Sequence, residues 1–220
     1  MDALISQFFN LQVMIQAWPI MLRGAGLTLL LCLAVIPLGL LGGLLVALAS
    51  TSPLKRVRWP TVILVDFFRA VPPLALLIFI SAGLPFLGIR LSPFTAVVLS
   101  FFLNNSAYYG EIIRAGIESI GAGQREAARS TGLNAAQTQT FVILPQAIKN
   151  VLPDLVSNTI EVVKLTSLAS VVAFTELLYA AEMARSVTYN ASPLIMAALM
   201  YLAILWPAVR LASKLEHQLR

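Results

Sequence analysis

The sequence predicts an all-α integral membrane protein of five transmembrane helices, with the amino terminus outside and the carboxyl terminus in the cytoplasm. Three observations carry that expectation. The 220 residues are 59% hydrophobic and only 11% charged, far from the composition of a soluble domain. Five long apolar runs are separated by polar connections. Basic residues gather in alternate connections, at Lys55, Arg56 and Arg58, then at Arg114, Arg125, Arg129 and Lys149, and last at Arg210, Lys214 and Arg220, which places those connections inside. The net charge of +5 is therefore read as orientation in lipid, and no nucleic-acid partner is expected.

The chain is read as one transmembrane domain, 1–220. Residues 1–22 mix apolar and amide side chains around Trp18 and form an interfacial segment. No basic residue and no small-residue cleavage site opens the chain, so no removable secretory signal is expected. The first span is 26–49, uncharged and long enough for roughly 30 Å of hydrocarbon. Pro37 can kink it, and Gly39 with Gly43 gives it a close-packing face. The second span, 60–82, carries Asp66, Arg69 and Pro72-Pro73, so one straight helix is not expected. The third, 93–114, repeats Asn104, Asn105, Ser106, Tyr108 and Glu111 on a helical period, a stripe that should face protein or water. The fourth, 153–175, holds Glu161 and Lys164. The fifth is 192–211, and 177–190, with Glu176, Glu182 and Arg185, connects the last two outside.

Between the third and fourth spans stands a polar elbow, 122–146, on which the reading turns. Gln124 to Thr131 are good helix formers, ended by Gly132 where a left-handed residue belongs. Asn134 can cap a second helix with Gln137 in a capping box, and Pro145 suits the first turn of the next. Ala127 and Ala128 offer a face with little side-chain bulk, with Glu126 and Arg129 at its rim, so the elbow reads as a docking surface. Glu126-Ala127-Ala128, Gly132, Val142 and Leu144-Pro145 at this spacing resemble the EAA motif of the membrane subunits of ABC importers, with Val142 where isoleucine is usual. The resemblance implies the type I importer permease fold and a cytoplasmic coupling helix seated on an ATPase subunit. Its coupling residues here are Glu126, Ala127, Ala128, Gly132, Leu144 and Pro145.

Three further stretches resemble the polar amino-acid uptake subfamily. These are Trp18 to Gly24, Asp66-Phe-Phe-Arg69-Ala-Val-Pro72, and Asn104 to Ile117 with Tyr108, Glu111 and Arg114. A fourth is Lys164-Leu-Thr166-Ser167-Leu168. Ala70-Val71 replaces the usual Gly-Thr, and Leu165 stands where an acidic residue often precedes Thr-Ser. The resemblance implies a multi-pass protein of the bacterial inner membrane that imports a polar amino acid or derivative by alternating access. It also implies two ATPase subunits that bind ATP and magnesium, a second permease chain, identical or paralogous, and an extracytoplasmic binding protein. A self-sufficient channel or secondary carrier is the alternative.

The chain itself offers no phosphate-cradling Gly-x4-Gly-Lys-Ser/Thr loop and no catalytic constellation, so neither an enzyme nor a resident cofactor or metal is expected. Cys32 has no disulfide partner, and His217 reads as a solvated tail residue. Glu161 and Lys164 share a helix face and can pair, yet a charge at the bilayer centre costs on the order of 3 kcal/mol and commonly marks a pathway. Glu161, Lys164, Thr166, Ser167, Asp66 and Asn104 are the candidate substrate-pathway residues. Asn104, Ser106 and Tyr108 suit hydrogen bonds between helices better than solute contacts.

Overall fold

The structure, a computed structural model, describes residues 2–219, with side chains described from 4 to 214. His217 therefore has its side chain outside the described residues. Every described element is helical. In order these are α1 (Asp2–Phe8), α2 (Leu11–Ser50), α3 (Lys55–Ala70), α4 (Pro73–Leu87), α5 (Pro93–Ser119), α6 (Ala122–Ser130), α7 (135–150), α8 (Leu152–Val172), α9 (Leu177–Thr188) and α10 (Ser192–Leu219). They divide into two compact units: one of 1–36, 73–101 and 160–210, the other of 37–72, 102–159 and 211–220.

Length and composition qualify three helical runs as membrane spans, Leu4–Ser50, Leu152–Val172 and Ser192–Lys214, with the broken pair α3 and α4 as a fourth. The expected third span, α5, forms as one helix but falls short on hydropathy, because its polar stripe dilutes the apolar residues around it.

In the first unit, α2 runs unbroken through residues 11–36, so the expected interfacial segment is two pieces, the short α1 and the opening turns of the long helix. One side of those turns is buried: Ala17 and Met21 pack with Leu177, Ala180 and Ala181 of α9 and with Met196 and Ala197 of α10. Gly24 makes the approach possible, since a Cβ there would stand 2.8 Å from the Cβ of Ala180. The connection 177–190, expected only as a link, is thus mostly a helix with a buried face.

In the second unit the Gly39–Gly43 face predicted for close packing meets α5. A Cβ at Gly42 would fall 2.1 Å from the Ser106 hydroxyl, and one at Gly43 would fall 2.5 Å from the Tyr109 Cβ. α3 ends at Ala70, Val71 is extended at φ −75°, and Pro72-Pro73 then prevents the helix from continuing, as the paired prolines require.

Candidate functional site

A helix that stops leaves its last carbonyls without partners. The polar stripe of α5 meets this need in the second unit. The Asn104 Nδ2 donates to the Phe68 carbonyl at 3.0 Å, the Tyr108 hydroxyl donates to the Arg69 carbonyl at 3.4 Å, and the Val71 N–H reaches the Phe67 carbonyl at 3.0 Å. Below them runs a ladder of charges. The Arg69 guanidinium lies 5.8 Å from the centre of the Tyr108 ring and 3.7 Å from the Glu111 carboxylate. Arg114 Nε donates to Glu111 Oε2 at 2.9 Å, and its Nη1 donates to both Glu118 oxygens at 2.6 and 2.7 Å. Asp66 does not pair with Arg69 three residues on. It lines, with Arg58, Glu111 and Arg114, a cleft of about 250 Å³.

The candidate pathway residues of the first unit are arranged otherwise. Glu161 and Lys164 form the ion pair their spacing allows, with side chains 66% and 49% exposed and no other partner among the described residues. Just beyond, α8 tightens from an α-helix to a 3₁₀ turn over Thr166–Val172 and ends on Ala173 at φ 57°. Thr166 is fully buried and its hydroxyl donates back to the Val163 carbonyl at 2.7 Å, while Ser167 donates to Lys164 at 2.8 Å. Neither hydroxyl is free in this arrangement.

Sequence reasoning missed Glu176, placed in the outside connection without a role. It is fully buried and caps α9: its carboxylate accepts from the Leu178 and Tyr179 N–H groups, both at 2.8 Å, and from the Tyr201 hydroxyl at 2.7 Å. The Leu177 N–H donates to the Thr28 hydroxyl at 3.1 Å. The signal was present as an acidic residue immediately before a run of good helix formers, but capping by Glu is uncommon enough to escape notice.

The elbow takes the expected local form. Gly132 stands at φ 89°, in the left-handed region that a Cβ disfavours. Asn134 and Gln137 complete the capping box, with both bonds at 2.9 Å. Pro145 lies in the first turn of Leu144–Asn150, after a wider π turn over Thr138–Ile143, and the Gln146 amide donates to the Val142 carbonyl at 2.7 Å. One expectation changes: the two alanines do not share an open face. Ala127 and Glu126 are exposed, but Ala128 is only 6% exposed, on a helix that packs against Thr138–Ile143. Arg129 reaches back to the Leu133 carbonyl at 3.1 Å, and Arg125 donates to Gln139 at 3.2 Å and to the Ile117 carbonyl at 3.3 Å. The elbow is thus a folded unit pinned to α5 through Arg125. Gly116 lies close beneath it, where a Cβ would stand 2.8 Å from the Ala147 carbonyl.

Residues 39–220, which include the elbow, the α5 stripe and the α8 ion pair, match the family described as binding-protein-dependent transport system inner membrane component. The chain belongs to that family. It is 38% identical to the probable amino-acid ABC transporter permease protein YckA of Bacillus subtilis (strain 168), over 89% of this chain and 87% of that one. It is 32% identical to the arginine transport system permease protein ArtQ of the same organism, over 92% and 93%. Among solved structures it resembles an amino acid ABC transporter with histidines, at 36% identity and a TM-score of 0.86 over 95% of this chain and 98% of that one. The family is one of transport components rather than enzymes, its fold is the all-helical type I permease, and its place is the cell membrane, crossed several times. The chain is a permease subunit of an ABC importer.

Proposed function

We propose that this permease moves a polar amino acid or derivative inward by alternating access, driven by two ATPase subunits that bind ATP and magnesium and dock on the elbow. A second permease chain completes the path, and an extracytoplasmic binding protein delivers the cargo. Five spans, 26–49, 60–82, 93–114, 153–175 and 192–211, form one domain of residues 1–220, with the amino terminus outside and the carboxyl terminus in the cytoplasm. Glu126 and Ala127 meet the ATPase directly. Ala128, Gly132, Leu144 and Pro145 hold the elbow in the shape that does so. Glu161 and Lys164 face the cargo's charged groups, with Thr166 and Ser167 shaping the turn beside them. Asp66 lines the path from α3, and Asn104 holds the end of that helix.

The observation that carries this reading is the elbow. A left-handed Gly132 and a complete capping box build it at the spacing of the coupling motif, with Glu126 and Ala127 left open. Gly132→Ala should strain the turn by about 1 kcal/mol, and Ala127→Glu should place bulk and charge on the open face. In the purified complex both should lower cargo-stimulated ATP hydrolysis while the chain still inserts. Absence of any copurifying ATPase, or undiminished stimulation in both variants, refutes the reading. The orientation is tested separately in a Cys32→Ala background. Gln7→Cys should react with an impermeant thiol reagent on sealed cells and His217→Cys should not.

A further inference from the structure

The turn from α9 into α10 is built with more care than a link requires. Tyr189 sits at φ 51° and ψ 32°, a left-handed conformation that a bulky side chain adopts at a cost of about 1–2 kcal/mol. Such strain persists only where the surroundings hold it. Here α1 does so. The Ala191 N–H donates to the Gln7 carbonyl at 3.0 Å, the Gln7 amide donates to the Tyr189 carbonyl at 3.4 Å, and the Asn190 amide donates to the Ser6 carbonyl at 2.8 Å. Ser192, fully buried, accepts from the Asn10 N–H at 2.8 Å and donates its own N–H to Asn190 at 2.9 Å.

The pinned backbone frames a notch of about 370 Å³, lined by Gln7, Arg185, Ser186, Tyr189, Asn190 and Ala191. Most of its polar groups are spent on the frame, and the Ser186 hydroxyl donates to the Met183 carbonyl at 2.8 Å. Two donors remain open. Arg185 is exposed and makes no ion pair with any described residue, although Glu182 lies three residues before it on the same helix. Tyr189 is 87% exposed, and no described group meets its hydroxyl. A guanidinium fork and a phenol lining one notch can both donate to a carboxylate, and Arg and Tyr are each enriched at the energetic centres of protein interfaces.

We infer that this notch receives an acidic side chain of the extracytoplasmic binding protein, with Arg185 as the charged anchor and Tyr189 as the aromatic one. The inference rests on the orientation proposed above, which puts the α9–α10 turn outside. The test uses the assembled complex in nanodiscs, titrated with its binding protein loaded with cargo, and reads ATP hydrolysis. Arg185→Glu should raise the binding-protein concentration for half-maximal stimulation about tenfold while the maximum is retained, and Arg185→Gln should raise it less. A binding protein with one docking Glu or Asp changed to Lys should restore Arg185→Glu.

An unchanged half-maximal concentration in both Arg185 variants overturns the inference. So does an effect seen in anionic lipid but absent in phosphatidylcholine, which assigns the arginine to a lipid phosphate. Labelling of Arg185→Cys on sealed cells separates the two layers of the argument. Failure to label from outside removes the orientation, whereas labelling without any effect on stimulation removes the docking notch alone.

Discussion

The polar groups of α5 and those of α8 are both set in long helices of a membrane protein, and they are built in opposite ways. On α5 the donors of Asn104, Tyr108 and Arg114 are taken, although the Ser106 hydroxyl is buried without a partner among the described residues. Asn104 and Tyr108 hold the broken end of α3, and Arg69, Glu111, Arg114 and Glu118 alternate in sign along one ladder. On α8 the charged pair touches only itself and stays largely exposed. A satisfied network fixes one geometry, because each member left alone would carry the full penalty of an unpaired buried group. A pair that holds nothing else is available to something else. The α5 stripe is framework, the α8 pair is the place proposed for cargo charge, and four substitutions set that contrast against thermal unfolding of the purified complex.

The largest effect belongs to the surface beneath the stripe. Gly43→Leu would drive side-chain atoms into Tyr109, whose Cβ is already 2.5 Å from where a first carbon would sit. Overpacking there should cost about 3 kcal/mol or prevent recovery of folded protein. A variant as stable as the parent would show that α2 and α5 are not packed as described.

Next comes Glu111→Ala, which strips Arg114 of two hydrogen bonds and Arg69 of its ion pair. With Glu111 about one quarter exposed, a loss of about 2 kcal/mol is expected, below the range for a fully buried pair. Asn104→Ala is smaller still, about 1 kcal/mol, since it leaves the Phe68 carbonyl unpaired and interhelical bonds in membranes are individually modest.

The smallest effect on stability, and the sharpest on function, is expected for Glu161→Gln. Its carboxylate is too exposed to support the fold, so unfolding should shift by less than about 0.5 kcal/mol. Uptake of cationic cargo should fall more than uptake of neutral cargo. The double change with Lys164→Gln decides what the pair is for. If Glu161 served only to neutralise Lys164, the double variant would regain full transport, and the contrast between the two helices would collapse.

Much of this was legible from residue types at short range. Pro72-Pro73 breaks the second membrane segment whatever surrounds it, because a proline has no N–H to give and crowds the residue before it. Gly132 and the Asn134–Gln137 box specify the elbow's turns through interactions that reach three residues or fewer. Glu161 and Lys164 could be paired from their spacing alone. In each case the partners are neighbours in the chain, so the chain names them.

The tertiary structure decided what pairs across long separations. Nothing near Asn104 in sequence indicates that its amide is taken by Phe68, or that Arg69 passes over Asp66 to reach Glu111. Glu176 looked like a residue of an outside link until Tyr201 and two backbone N–H groups closed around it. Ala127 and Ala128 are equally small, yet one is open and the other buried, because only the packing of α6 on α7 distinguishes them. The sequence by itself determined the break at Pro72-Pro73, the turn at Gly132 and the places where charge is carried, since those are properties of a few adjacent residues. Which polar groups are spent on the framework and which are left for a ligand or partner is a property of the packed chain, because a hydrogen bond is assigned only when both its ends are in place.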